Sequence, residues 1–66
     1  MEITVNGERL EYSGQPTLSE LFSYLGIDLT TVAVERNLRI IPRNRIENEP
    51  IDPGDAFEII RLVGGG

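Results

Sequence analysis

The chain has no cysteine, no histidine, no lysine and no tryptophan. Without cysteine there is neither a disulfide nor a thiolate to hold a metal. Without histidine the usual general base, the commonest metal ligand and any histidine-based nucleophilic triad are excluded. Without lysine no side-chain amine can accept an acyl group. No apolar run approaches the roughly 20 residues of a membrane span, and no signal peptide opens the chain, so the expected location is the cytoplasm. A phosphate-binding loop and a basic cluster for ATP are missing too. An enzyme in its own right is therefore the least supported class.

What remains is a 66-residue chain, long enough for one domain. A domain this short buries only about 60% of its unfolded surface, which leaves a thin stability margin. The hydrophobic share of 39% suffices for a small core and is too high for a disordered chain. Eleven carboxylates face six arginines, a formal charge of -5. That balance speaks against nucleic acid and anionic membranes as partners. It suits steering towards a basic protein, or simply solubility.

Met1 to Val5 alternates, with Ile3 and Val5 on one face, and Asn6-Gly7 follows. Asn-Gly predicts a type I′ hairpin, because both central residues need positive φ. Leu10 and Tyr12 then point inward on a second strand. Thr17-Leu18-Ser19-Glu20 reads as a capping box, with the Thr17 hydroxyl on a backbone N–H and Glu20 reaching back. Leu18, Leu21, Phe22 and Leu25 form one helical stripe, and Gly26 is placed to end the helix in the left-handed conformation. Val32-Ala33-Val34 predicts a third strand and Arg39-Ile40-Ile41 a short fourth, joined through Glu35 to Leu38. Pro42 fits an edge strand only. Arg43 to Pro50 reads as a polar loop anchored by Ile46. Asp52-Pro53-Gly54-Asp55 is a turn by composition, and Ala56 to Val63 is the last strand.

That order predicts an α+β domain at residues 1–63, with one helix on one face of a mixed four- to five-stranded sheet. A glycine tail, residues 64–66, follows. In the last strand Phe57, Ile59 and Val63 share the core parity. Glu58, Ile60 and Leu62 share the other, where polar residues are expected and two are apolar. Two readings fit: an exposed apolar patch for a partner, or a central strand partly covered on both sides.

Terminal glycines commonly mark fraying. Here they abut a strand directly. Glycine lacks Cβ and can thread a narrow channel, and three extended residues reach roughly 10 Å. With histidine, cysteine and lysine absent, the α-carboxylate of Gly66 is the one candidate reactive group. It is expected to be ionised at neutral pH and disordered until a partner binds. A carboxylate is a poor electrophile, but attack on the α-phosphate of ATP makes it an acyl adenylate, which a sulfur or nitrogen nucleophile can open. Such a chain is the substrate of an adenylating enzyme.

Asn6-Gly7, Thr17 with the leucine stripe, Val32-Ala33-Val34-Glu35-Arg36-Asn37, Ile40-Ile41-Pro42-Arg43, Gly54-Asp55 and the final glycine pair together resemble the ThiS family, the sulfur carrier proteins of thiamine biosynthesis. The resemblance covers nearly the whole chain. It implies a ubiquitin-like β-grasp fold with the last strand in mid-sheet beside the first. It implies that Gly65 and Gly66 are the essential pair, with Gly66 adenylated and then converted to a thiocarboxylate. Gly64 departs from members with alanine there, another small residue. The implied partners are a ThiF-type adenylating enzyme using Mg-ATP, a cysteine desulfurase acting indirectly, and thiazole synthase (ThiG). No cofactor is implied on the chain itself. Arg43 has the family's Pro-Arg context and reads either as a contact to an acidic partner loop or as a locally paired arginine. Glu58, Ile60 and Leu62 are docking candidates on parity alone. The same tail would serve a carrier for molybdopterin or another sulfur-transfer pathway, or a ubiquitin-like protein modifier. An idle tail on a plain interaction module is the third alternative.

Overall fold

The computed structural model describes residues 1–62. Val63 and the expected flexible tail, Gly64 to Gly66, lie outside the described residues. The strands are β1 (Glu2–Val5), β2 (Glu8–Glu11), β3 (Val32–Arg36), β4 (Arg39–Ile40) and β5 (Ala56–Arg61), with helix α1 (Leu18–Leu25) between β2 and β3. Short 3₁₀ segments cover Leu29–Thr31 and Arg43–Asn48. The five strands lie in the order β2-β1-β5-β3-β4. Strands β1 and β5 run parallel, and the other pairs are antiparallel. The sheet is thus mixed, as expected, and β5 occupies its centre.

Local chemistry accounts for most of these elements. Asn6 and Gly7 take φ of 50° and 81°, which turns β1 onto β2 with Val5 opposite Glu8. Thr17 caps α1 by accepting the Glu20 N–H at 3.4 Å. The reciprocal half of the predicted capping box is not made, because the Thr17 N–H donates to the Gln15 carbonyl at 2.8 Å. Gly26 at φ 73° ends the helix, and its N–H closes on the Phe22 and Ser23 carbonyls. At eight residues α1 is too short to persist alone. Its buried residues Leu18, Leu21 and Phe22 join Ile3, Val34 and Phe57 in one core cluster.

Two regions differ from the sequence reading. The link between β3 and β4 is a two-residue turn, with Asn37 at φ 51° and Leu38 at φ 70°. Strand β3 consequently runs on through Arg36, which lies opposite Arg39. Arg43–Asn48 is a 3₁₀ segment rather than an unstructured loop, although Ile46 anchors it as expected. Its sequence has no helical stripe, and one buried isoleucine is enough to hold so short a turn.

Behind the β3–β4 turn sits a charged cluster. The Arg36 guanidinium donates to Asp55 Oδ2 at 2.7 Å, Asp52 Oδ2 at 2.8 Å and Glu49 Oε2 at 3.1 Å. Asp55 also accepts the Asn37 amide and the Asp52 N–H, both at 2.9 Å. Burial pushes the Asp55 carboxyl up, but the Asn37, Asp52 and Arg36 hydrogen bonds and the Arg36 charge outweigh that and hold it below the ordinary aspartate value. The Asn37 Oδ1 accepts the Ala56 N–H at 2.9 Å. The cluster therefore fixes where β5 begins.

Candidate functional site

Strand β5 alternates as its sequence predicts. Phe57 is buried and Ile59 half-buried in the core, while Glu58 and Ile60 point to the face away from α1. On that open face Ile60 lies opposite Ala33, and Glu58 lies opposite Glu35. Glu35 is in turn opposite Ile40 on β4. The register thus assembles an apolar strip, Ile40, Ala33 and Ile60, interrupted by two facing glutamates. Ile40 is 74% exposed, and Ile60 and Leu62 are each 49% exposed. Like charges directly opposed across strands are unfavourable, so the glutamate pair would gain from a cation supplied from outside.

Polar bonds secure both margins of β5. The Leu62 N–H donates to the Thr31 carbonyl at 2.9 Å, which ties the end of the strand to the first 3₁₀ segment. At the β1–β2 turn, the Asn6 N–H donates to the Phe57 carbonyl at 2.8 Å and the Asn6 Oδ1 accepts the Ile59 N–H at 2.7 Å. Asn6 therefore turns the hairpin and also splices it to the central strand. The Asn-Gly motif signals only the first of these tasks.

The four docking candidates fall into two groups. Glu58 and Ile60 share the open sheet face. Leu62 and Arg43 meet at the 29–32 segment, because Arg43 Nη1 and Nη2 donate to the Leu29 and Val32 carbonyls, each at 2.6 Å. The Arg43 guanidinium is thus engaged with backbone, which is the locally paired arrangement. Gly64, Gly65 and Gly66 fall outside the described residues. Among the described residues there is no group of metal-ligating side chains, and no helix is long and apolar enough to cross a membrane.

The chain was compared with known proteins. The ThiS family pattern matches residues 3–66. The crystal structure of the thiamine biosynthesis protein ThiS from Geobacter metallireducens superposes with a TM-score of 0.84 at 32% identity, covering 100% of both chains. The sulfur carrier protein ThiS of Thermus thermophilus is 31% identical over 64 residues, spanning 97% of this chain and 98% of that protein. A thiazole synthase of Paramagnetospirillum magneticum is 39% identical over all 66 residues, which make up only 20% of its own length. The mixed sheet, the central β5 and the end-to-end match agree: the chain belongs to the ThiS family, the sulfur carrier proteins of thiamine biosynthesis.

Proposed function

We propose that the Gly66 carboxylate is the sulfur-carrying group and that the open sheet face presents it to the enzymes that load and unload it. One observation carries this reading: the family match runs through Gly66, five residues beyond the central strand β5 in sequence. The missing histidine, cysteine and lysine support it, since they leave no thiol, imidazole or side-chain amine on the carrier.

In the proposed cycle a carboxylate oxygen of Gly66 attacks the α-phosphate of Mg-ATP, held by a ThiF-type adenylating enzyme, and pyrophosphate leaves. The terminal sulfur of a persulfide formed by a cysteine desulfurase attacks the carbonyl carbon and AMP leaves; a thiol then cleaves the acyl disulfide, supplying the two electrons and leaving as a disulfide. The product is a thiocarboxylate. On thiazole synthase the sulfur passes to the acceptor substrate, and an oxygen from that substrate or from water takes its place on the carbonyl carbon, which restores the carboxylate. The likeness to thiazole synthases, in which the matching segment is part of the same chain, supports that enzyme as the partner. In this scheme Glu58 and Ile60 form the docking face, Leu62 stands at the end of the strand beside it, and the facing Glu35 and Glu58 suit a basic partner residue.

Intact-mass spectrometry tests the proposal. After incubation with the adenylating enzyme, ATP and a sulfide source, the chain should gain the mass difference between sulfur and oxygen. Deleting Gly66 should abolish the gain while leaving the thermal melt unchanged. No mass gain with cognate activating enzymes, or an undiminished gain after the deletion, would refute it.

A further inference from the structure

A second surface of this acidic chain carries two exposed arginines that lack an ion-pair partner among the described residues. Between the β3–β4 turn and the 3₁₀ segment Arg43–Asn48 lies an open groove of about 550 Å³. Ile40, Ile41 and Pro42 give it apolar walls, and Arg39 and Arg45 stand along it. Arg36 and Glu49 also line it, but these two are paired with each other. Asp52 and Asp55, the other carboxylates on Arg36, are not among the lining residues. Arg36 is already met by three carboxylates, so the unpaired positive charge along the groove is that of Arg39 and Arg45.

The two outer arginines are unspent. Arg39 and Arg45 are exposed, and neither forms a salt bridge or a side-chain hydrogen bond among the described residues. Arg43, their neighbour in sequence, is by contrast held on two backbone carbonyls. Strand β4 is an edge strand, paired only with β3, so its outer side is open to another chain. Ile40 beside it is 74% exposed. An apolar strip on a free strand edge, flanked by two guanidinium groups, matches an extended acidic segment. Its apolar side chains would rest on Ile40 and Pro42, and its carboxylates would take guanidinium forks.

We infer that this groove docks an acidic, extended segment of a partner protein that alternates carboxylate and aliphatic side chains. The inference goes beyond the sulfur-carrying reading, because it needs neither the glycines nor Glu58 and Ile60; Ile40, at the β4 end of the open face, is shared by the two surfaces. A second copy of this chain fits less well, since two bodies of the same net negative charge repel over the distances at which docking begins.

The probe is a synthetic peptide of alternating glutamate and leucine, titrated into the isotope-labelled full chain and followed by amide chemical shifts. Saturable shifts at Arg39, Ile40, Ile41 and Arg45, weakening as salt rises, are the expected result. The Arg39→Gln/Arg45→Gln variant should bind about tenfold more weakly, an energy of about 1.4 kcal/mol. The charge-keeping Arg39→Lys/Arg45→Lys variant should retain most of the affinity. Thermal melts of both should match the parent, since neither side chain is bonded. The inference is overturned by shifts at Ala33, Glu58 and Ile60 with none at Arg39, Ile41 and Arg45, or by equal binding of a lysine–leucine peptide. It is also overturned if inorganic phosphate alone reproduces the shifts, or if sedimentation shows the chain self-associating through these residues.

Discussion

Replacing Arg36 with methionine keeps the aliphatic stem and removes the guanidinium, so it isolates the charged cluster from packing. The three partners do not count equally. Asp52 is 71% exposed, and a pair with so open a carboxylate contributes about 0–1 kcal/mol. Glu49 and Asp55 are only 15% and 9% exposed, so they lose shielded charge-assisted bonds of about 1.5–3 kcal/mol each before relaxation. After the change Asp55 keeps the Asn37 and Asp52 donors, and water can reach the space left by the guanidinium. The net loss should be about 2–3 kcal/mol. A domain of this size holds roughly 3–10 kcal/mol in total, so the fraction is large. On the usual conversion for small domains the melting temperature should drop by roughly 10–20 °C. Urea titration followed by far-ultraviolet circular dichroism measures the loss directly. Asp55→Asn and the double variant complete a cycle whose coupling should be about 1–2 kcal/mol. A loss below about 0.5 kcal/mol for Arg36→Met, or strict additivity with Asp55→Asn, would refute the assignment of stability to this cluster.

Three other outcomes are expected. The Asp55 carboxyl is held below its ordinary value of 3.8 in the folded chain, so its contribution is present above that value and is lost as pH falls through the depressed one; urea midpoints between neutral and strongly acidic pH should show this, and Asp55→Asn should flatten the acid limb. A Cβ on Gly14 would come within 2.5 Å of the Tyr12 hydroxyl, whose oxygen donates to the Gln15 carbonyl at 2.6 Å. Gly14→Ala should therefore cost about 1–3 kcal/mol by urea titration, and removing the hydroxyl in a Tyr12→Phe background should recover part of it. Ile60→Asp should change stability by less than about 1 kcal/mol, because the side chain is half exposed, yet lower kcat/KM for adenylation about tenfold or more; unchanged kinetics would remove the open face from the docking scheme.

Legibility in the sequence followed the range of the interactions. Asn6-Gly7, the leucine stripe and Gly26 were readable because each is governed by neighbours within a few residues. The alternation of Glu58, Ile60 and Leu62 was readable for the same reason, and the structure puts Glu58 and Ile60 on one face. Leu38 gave no sign of its left-handed backbone, since nothing local favours φ 70° in a leucine; the pairing of Arg36 with Arg39 imposes it. Asp55 read as one more turn residue. Its burial depends on Arg36, 19 residues earlier, and on Asn37, 18 earlier. The reach of Asn6 to Ile59 spans 53 residues, and no local pattern announces it. Nothing in the local sequence marks Arg39 and Arg45; the fold sets them along one groove.

The central position of β5 also constrains the order of events in the life of the chain. The parallel ladder that joins Thr4 to Ala56 and Val5 to Phe57 closes a loop over almost the whole length of the protein. Until the ribosome has released the residues of β5, β1 and β3 have no neighbour between them, and the strip formed by Ile60, Ala33 and Ile40 does not exist. Folding of this domain must therefore wait until β5 has emerged, and closing so distant a pair makes it slow for the domain's size. A chain cut before β5 would lack that strip altogether. An enzyme that reads that face would thereby be inspecting finished goods, refusing fragments without any separate proofreading step.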